Sequence, residues 1–120
     1  MKRVLLVEDT VALRKAIKLK LTSIGLDVVE AMNGQEGVDV FTQDHFDLII
    51  TDMVMPEKNG LEFLYELKAK QNTIPVIVLS NVSSTKEQNE VRSLGVNVYL
   101  VKVETSLKTL IEKVEEVLGG

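Results

Sequence analysis

Short apolar runs alternate along this chain with segments of helical spacing, and this alternation restricts the folds that the chain can adopt. The runs are continuous rather than interrupted at every second position, which is typical of strands covered on both faces. They lie at residues 4–7, 48–50, 76–79 and 98–101, and a more polar strand is predicted at 27–30. Strands that are each followed by a helix predict a mostly parallel sheet with helices on both faces, joined by right-handed crossovers.

Three of the segments between the strands carry apolar stripes with the spacing of an α-helix. The stripes are Leu13, Ile17, Leu21 and Ile24, ended by Gly25; Leu61, Leu64 and Leu67; and Leu107, Leu110, Ile111, Val114 and Leu118. Two more polar helices are predicted near residues 35–42 and 86–94. Ser84 and Glu87 have the spacing of a capping box that starts the second of these, and Gly95 would end it.

The predicted fold is a small doubly wound, flavodoxin-like α/β domain with a five-stranded parallel sheet. The polar strand at 27–30 is expected at a sheet edge, which favours the strand order 2-1-3-4-5. With 120 residues, 45% of them hydrophobic, the chain has the size of one domain with its own core. A single domain over residues 1–120 is therefore predicted.

Charge and composition argue against several classes of function. The formal net charge is −4, from 14 basic and 18 acidic residues spread along the chain, so no basic patch for a nucleic-acid backbone is visible. The first apolar run is too short for a signal peptide, and no stretch is long enough to span a membrane. There is no cysteine for a disulfide or a thiolate metal site. We expect a cytoplasmic protein that binds neither nucleic acid directly nor a membrane.

Polar and charged residues follow the apolar runs directly, where the carboxyl ends of the predicted strands would lie. Functional sites of open α/β sheets form at this edge. The residues are Glu8, Asp9, Asp52, Ser80 and Lys102. Adjacent first and third strands would bring the three carboxylates together, and a magnesium ion with oxygen ligands, together with the lysine, would relieve their mutual repulsion.

Each of these residues also has an ordinary structural explanation. Acidic residues before a helix stabilise its amino terminus, a serine can cap a helix, and a lysine after a strand is commonly solvated. Asp52 stands apart, because a carboxylate at the end of a buried strand needs partners. The occurrence of all five residues at matching strand ends favours a functional site.

Short motifs surround these residues along nearly the whole chain. They are residues 4–9 (VLLVED), 47–52 (DLIITD), 55–56 (MP), 59–60 (NG), 78–80 (VLS), Tyr99 and 101–102 (VK). Together they resemble the receiver domains of response regulators in two-component signalling, the relatives of the chemotaxis response regulator. No single motif is specific, but their combination is.

The resemblance implies that Asp52 is a nucleophile that becomes an aspartyl phosphate. The donor would be a sensor histidine kinase, a phosphotransfer protein or a small acyl phosphate. Asp9, Asp52 and the backbone carbonyl of Val54 would ligate Mg²⁺, with Glu8 acting through a water molecule, and Lys102 would contact a phosphoryl oxygen. The protein would be a phosphoryl acceptor with self-catalysed phosphorylation and dephosphorylation, and not an enzyme with a separate substrate.

A conformational switch is also implied by the resemblance. The phosphoryl group would draw the hydroxyl of Ser80 inward, and the ring of Tyr99 would turn into the space that this vacates. The surface formed by the fourth helix, the fifth strand and the fifth helix would change, and an unknown output domain or target protein would recognise it. The protein would be a monomer or a weak phosphorylation-dependent dimer.

Two residues depart from the pattern of receivers, and one histidine falls outside it. Val103 stands where receivers usually have a proline after the lysine. The resemblance therefore does not decide whether the side chain of Lys102 reaches the phosphoryl group. Asn81 stands beside the switch hydroxyl, where receivers generally have a very small residue, so the access of a bulky donor would be narrowed. His45 is the only histidine and has the setting of an ordinary loop residue.

Three other functions fit parts of the pattern. A flavodoxin-like cofactor binder would have hydrogen-bond donors after the first strand, where Glu8 and Asp9 stand. A phosphohydrolase of the haloacid dehalogenase type would have a second aspartate at the position of Val54. A pseudo-receiver that acts as a phosphorylation-independent interaction module stays open because of Val103, although the acidic cluster is complete.

The resemblance also predicts a long-lived aspartyl phosphate. Val54 and Val82 lie two residues after Asp52 and Ser80, where polar side chains in receivers can position a hydrolytic water. A Val54→Asn, Val82→Glu variant should therefore lose its phosphoryl group faster than the wild type. The decay of the adduct by intact mass would measure both lifetimes, and equal lifetimes would contradict the prediction.

Overall fold

The computed structural model describes residues 1–55, 57–70, 72–81 and 84–119. Its strands are β1 (Arg3–Val7), β2 (Asp27–Ala31), β3 (Leu48–Thr51), β4 (Val76–Ser80) and β5 (Val98–Val101). Its helices are α1 (Val11–Ser23), α2 (Gly34–Gln43), α3 (Gly60–Ala69), α4 (Thr85–Ser93) and α5 (Leu107–Val117), with a 3₁₀ turn at Lys102–Glu104. Within these ranges no helix has both the length and the apolar character that a bilayer crossing requires.

The strands form one parallel sheet in the order β2-β1-β3-β4-β5. The predicted doubly wound α/β fold and strand order are therefore confirmed. β1 pairs on both sides, so that Val7 at its end lies opposite Ala31 of β2 and Thr51 of β3. The carboxyl ends of β1 and β3 are consequently neighbours, as the predicted site requires.

Two apolar layers cover the two faces of the sheet. Alternate residues of a strand point to opposite faces, and β1 sends Leu5 and Val7 into one layer and Val4 and Leu6 into the other. Helices α2, α3 and α4 complete the first layer, and α1 and α5 complete the second. Central strands covered on both faces explain the continuous apolar runs in the sequence.

The two edge strands are less buried than the central ones. β2 is largely half-buried, in agreement with its predicted place at an edge. β5 has apolar cover on both faces, as its sequence pattern predicts, with Tyr99 packed on one layer and Val98 and Leu100 on the other, but the cover is incomplete and all four of its residues are half-buried. β5 forms the other edge of the sheet and lacks a neighbouring strand on one side.

The apolar stripe of α1 also differs in part from the prediction. Ile17 and Leu21 are buried as predicted, but Ile24 lies past the helix end and is 42% exposed. The buried face continues instead through Arg14 at the start of the helix. A charged side chain therefore occupies a place where the stripe would put an apolar one.

Side-chain caps fix the starts of α3 and α4. Asn59 and Glu62 form a complete capping box at α3, each side chain accepting from the other's backbone amide. At α4 the amide of Glu87 donates to Ser84 over 3.2 Å, so the predicted cap residue is confirmed. Both helices follow strands that end at the predicted site, and the caps hold the first turn of each helix.

The loop after β3 turns back closely on itself at Gly60. The amide of Gly60 donates to the carbonyl of Met53 over 2.9 Å. A Cβ atom on Gly60 would lie 2.2 Å from the carbonyl oxygen of Asp52 and 2.6 Å from the Cα of Met53. The first residue of α3 therefore rests directly on the backbone of Asp52, and only glycine leaves room for it.

Replacing Gly60 by alanine should displace the backbone at Asp52 and lower the free energy of unfolding by about 1–3 kcal/mol, the usual cost of overpacking. Urea unfolding would measure the loss. Gly37→Ala is a matched control, because an added Cβ there would meet side-chain atoms of Phe63 and Val7 at 3.1 Å, which can shift. Equal losses in the two variants would contradict this account of Gly60.

Candidate functional site

Three carboxylates meet at the carboxyl edge of the sheet. Glu8 and Asp9 follow β1, and Asp52 follows β3. Each offers a ligand oxygen, and these oxygen atoms all lie within 4.8 Å of one another. Glu8 and Asp52 are buried and Asp9 is half-buried. The structure thus brings together the acidic residues that the sequence singled out.

Asp52 is held through both of its carboxylate oxygens. Oδ1 accepts from the amide of Met53 over 2.6 Å and, more weakly, from the amide of Val54 over 3.4 Å. Oδ2 accepts from the ammonium group of Lys102 over 2.8 Å. The backbone of Asp52 is fixed as well, because its amide donates to the carbonyl of Val7 over 3.0 Å.

Lys102 reaches the acidic cluster from the end of β5. Its Nζ lies 2.8 Å from Asp52 and 2.9 Å from Glu8, so one cation bridges two carboxylates. Burial alone would lower the pKa of Lys102, but its bonds to Asp52 and Glu8 outweigh that effect and raise the pKa. Val103 lies outside this arrangement with 81% of its surface exposed, so a valine after the lysine is compatible with the contact.

Glu8 is fixed on every side. Its amide donates to Ala31 over 3.0 Å, Oε1 pairs with Lys102, and Oε2 accepts from the amide of Thr10 over 2.9 Å. The last bond lies at the start of α1, so the ordinary role of an acid at a helix start is present beside its place in the cluster. Burial raises the pKa of Glu8 despite these partners.

Ser80 and Tyr99 lie beside the cluster on the neighbouring strands. Ser80 is fully buried at the end of β4, opposite Val101, and so lies between the strands that carry Asp52 and Lys102. The hydroxyl of Tyr99 lies 3.5 Å from a carboxylate oxygen of Glu87 in α4. Burial raises the pKa of Tyr99, and a hydrogen bond with Ser80 partly offsets this. The two residues predicted to form the switch are therefore in contact.

The remaining residues from the sequence analysis lie around the site or away from it. The side chain of Val54 is 67% exposed, Asn81 is exposed, and Val82 and Pro56 lie outside the described residues. Val54 as a metal ligand stays a prediction. His45 precedes β3 and therefore lies at the end of the sheet opposite the site, where its exposed ring is 3.6 Å from Asp47.

The cluster suits a small, hard cation. Its ligands are carboxylate oxygens, which Mg²⁺ prefers, and they are close enough together to share one ion. Buried like charges at this spacing need a positive partner, and Lys102 supplies only one positive charge for them. A cleft of about 390 Å³ lies nearby between the loop after β3 and α4, lined in part by Met53, Val54 and Glu87.

Arg14 is the residue at this site that the sequence analysis missed. It is 7% exposed, and its Nη1 donates to the backbone carbonyl of Glu8 over 2.9 Å. The spacing of Arg14, Ile17 and Leu21 is helical, so it would have placed the arginine on the buried face of α1. Because arginine is rarely buried without partners, this helical spacing alone does not lead one to expect Arg14 in the interior.

Comparison with known proteins gives a consistent result along the chain. The sequence profile of the family described as "Response regulator receiver domain" matches residues 4–115. A "Chemotaxis protein CheY homolog" of Campylobacter jejuni is 38% identical over 121 residues, covering 98% of this chain and 92% of that protein. The "Probable transcriptional regulator ycf27" of Porphyridium aerugineum is 27% identical, and the chain spans only 50% of its length.

Solved structures are similar over the same extent. The receiver domain of the Francisella response regulator 1452 has a TM-score of 0.92 and 29% identity, covering 99% of this chain and 98% of that one. The chemotaxis protein CheY4 of Vibrio cholerae has a TM-score of 0.89 and 28% identity, covering 98% of both chains. The match therefore includes every strand and helix around the acidic cluster.

The raised pKa of Glu8 predicts how stability changes with pH. The native protein keeps a proton on Glu8 at pH values where the unfolded chain has lost it, so stability falls as pH rises from the ordinary glutamate pKa of about 4.3 through the raised native value. A Glu8→Gln variant lacks this loss. With divalent metal chelated, its stability relative to the wild type should increase from about pH 4 to about pH 7.

Urea midpoints at both pH values would measure this difference. Glu112→Gln is the matched control, because Glu112 is an exposed glutamate on α5. A difference between Glu8→Gln and the wild type that is the same at both pH values would contradict the predicted role of burial.

Proposed function

Because the chain belongs to the response regulator receiver domain family, we propose that it accepts a phosphoryl group on Asp52 in two-component signalling. The observation that carries the proposal is the setting of Asp52. One carboxylate oxygen is oriented by backbone amides, the other is paired with Lys102, and two further carboxylates lie beside it. A structural aspartate needs the partners but not the additional like charges.

The reaction that we propose is a direct displacement at phosphorus. A carboxylate oxygen of Asp52 attacks the phosphorus of a phosphohistidine, the bond from phosphorus to the histidine nitrogen breaks, and the imidazole leaves with its electron pair. The backbone amides of Met53 and Val54 donate hydrogen bonds to Oδ1, and these restrict rotation of the carboxylate. Its orientation for attack is therefore set before the donor arrives.

Magnesium fits the donor set of this site. Asp9, Asp52 and the backbone carbonyl of Val54 would hold it, with Glu8 acting through a water molecule. When bound, the ion supplies positive charge that offsets the repulsion between the carboxylates and an anionic donor.

Lys102 has a second role in this proposal. While Asp52 is unmodified, Lys102 neutralises Asp52 and Glu8 together. After transfer, the phosphoryl oxygens are stronger acceptors close by, and the ammonium group pairs with one of them. A lysine is protonated at neutral pH, and the bonds of Lys102 to Asp52 and Glu8 raise its pKa and so favour the charged form further in the unmodified site.

The proposed switch joins the site to one surface of the domain. Ser80 donates to a phosphoryl oxygen, and Tyr99, which contacts both Ser80 and Glu87, turns inward. Since Glu87 belongs to α4 and Tyr99 to β5, the surface formed by α4, β5 and α5 changes. An output domain or a separate target protein would bind this surface.

The proposed partners and setting follow from the same function. The donor is a sensor histidine kinase or a phosphotransfer protein in the cytoplasm, and direct contact with nucleic acid is not part of the function. Residues 1–120 act as one receiver domain, as a monomer or a weak phosphorylation-dependent dimer.

Incubation with acetyl phosphate and Mg²⁺ should give a single phosphoryl adduct on the wild type by intact mass, and none on Asp52→Asn. Asp39→Asn is the matched control, since Asp39 is an exposed aspartate on α2, and it should be modified like the wild type. Chelation of Mg²⁺ should abolish the adduct, because the carboxylates then repel the donor.

Beryllofluoride, a phosphoryl mimic, provides a second arm of the experiment. Perturbation of the backbone amide signals of α4 and β5 by the mimic would support the switch. A folded protein that binds Mg²⁺ yet forms no adduct with either reagent, and none with a kinase donor, would be a phosphorylation-independent pseudo-receiver.

A further inference from the structure

We propose that Arg14 is a positioning residue for the acidic cluster, which it orients through the backbone that joins Glu8 to Asp9. This inference rests on the proposed function, because it concerns the same metal-binding carboxylates. Arg14 contacts the cluster at a main-chain atom and is held in turn by Glu30 on β2. The contacts of Arg14 with Glu30 and with Glu8 therefore connect the edge strand β2 to the site.

The contacts of Arg14 are those of a fixed side chain. Nη1 donates to the carbonyl oxygen of Glu8 over 2.9 Å, and Nε donates to Oε1 of Glu30 over 3.1 Å. A buried guanidinium is stable only with such partners, and its planar fork directs two of its donors in fixed directions. The amide of Arg14 also donates to the carbonyl of Thr10 over 2.9 Å, so its backbone lies in the first turn of α1.

The position of the accepting atom gives the contact its consequence. The carbonyl of Glu8 belongs to the planar peptide unit that continues into the amide of Asp9. Holding this oxygen therefore fixes the orientation of the whole unit. The amide of Glu8 is held separately by Ala31, so the strand end is fixed on one side and the start of the Asp9 segment on the other.

Glu30 pairs with Arg14 and also with two lysines of the same helix. Its second oxygen, Oε2, pairs with Lys15 at 3.0 Å and with Lys18 at 3.1 Å. These lysines carry the same charge on the same helix and share the same partner, but Arg14 adds the bond to the Glu8 carbonyl. Lys18 therefore offers a control for charge without backbone contact.

Charge and positioning predict opposite effects on metal binding. Loss of a cation near the cluster would, by charge alone, strengthen the binding of Mg²⁺. Loss of a residue that orients the ligands weakens it, commonly by 10-fold or more. The direction of the change in an Arg14 variant therefore separates the two explanations.

The experiment compares Arg14→Gln and Lys18→Gln with the wild type. Calorimetric titration gives the Kd for Mg²⁺, and ¹⁵N relaxation without metal gives the mobility of the Glu8 and Asp9 amides. We expect Arg14→Gln to weaken Mg²⁺ binding about 10-fold and to increase the mobility of both amides. Lys18→Gln should leave the mobility unchanged and should not weaken binding.

Glu30→Gln provides a second variant in case Arg14→Gln does not fold. It keeps Arg14 but weakens its anchor, so a smaller loss of Mg²⁺ affinity is expected, persisting at high salt where a long-range charge effect would be screened. Folded Arg14→Gln protein with wild-type or tighter Mg²⁺ binding and unchanged amide mobility would overturn the proposal. If the wild type binds no Mg²⁺, the proposed function fails, and the amide mobility still decides the role of Arg14.

Discussion

Negative charges gathered at the carboxyl ends of the parallel strands set the main constraint on this structure. Glu8 and Asp52 are buried next to each other, and the single ammonium group of Lys102 lies within 2.9 Å of both. Without that bridge two carboxylates would face one another away from water, which is costly at low dielectric. The chain after β5 is constrained accordingly, because the side chain of Lys102 must extend past the end of β4 to the carboxylates that follow β3 and β1.

The sheet makes this arrangement possible through its strand order. β1 and β3 are adjacent, so the carboxylates that follow them lie together, and β4 separates β3 from the strand that carries Lys102. Ser80 at the end of β4 occupies the gap and contacts Tyr99. The hydroxyl, the carboxylates and the ammonium group thus come from four strands, and their spacing depends on the register of the whole sheet.

The fold could be predicted from the sequence because its signals are local and repeated. Continuous apolar runs correctly identify the central strands, and a polar strand identifies an edge. The apolar run of β5, Val98–Val101, is covered less completely than the central runs, because β5 lies at the other edge, as the predicted strand order requires, with Tyr99 packed against the core. Periodicity reports the character of a residue and does not report how many neighbours its strand has.

The composition of the site could be predicted only in part, for a related reason. Lys102 directly follows an apolar run and Asp52 comes two residues after one, so their positions in the sequence mark the carboxyl ends of the strands, where they lie. Arg14 lies within a helix among other basic residues, and although its spacing from Ile17 and Leu21 puts it on the buried face, the linear sequence does not show which partners a buried arginine would have there. Its role depends on Glu30, a residue of another strand, and is visible only once the fold has brought the two together.

The tight contact at Gly60 limits how the domain can respond to chemistry at Asp52. The start of α3 lies directly on the backbone of Asp52, and the capping box of Asn59 and Glu62 holds that helix start in place. The main chain at Asp52 therefore has little room to move towards α3. A change at the side chain of Asp52 would accordingly have to be taken up by the side chains in contact with it, above all Lys102, rather than by its own backbone.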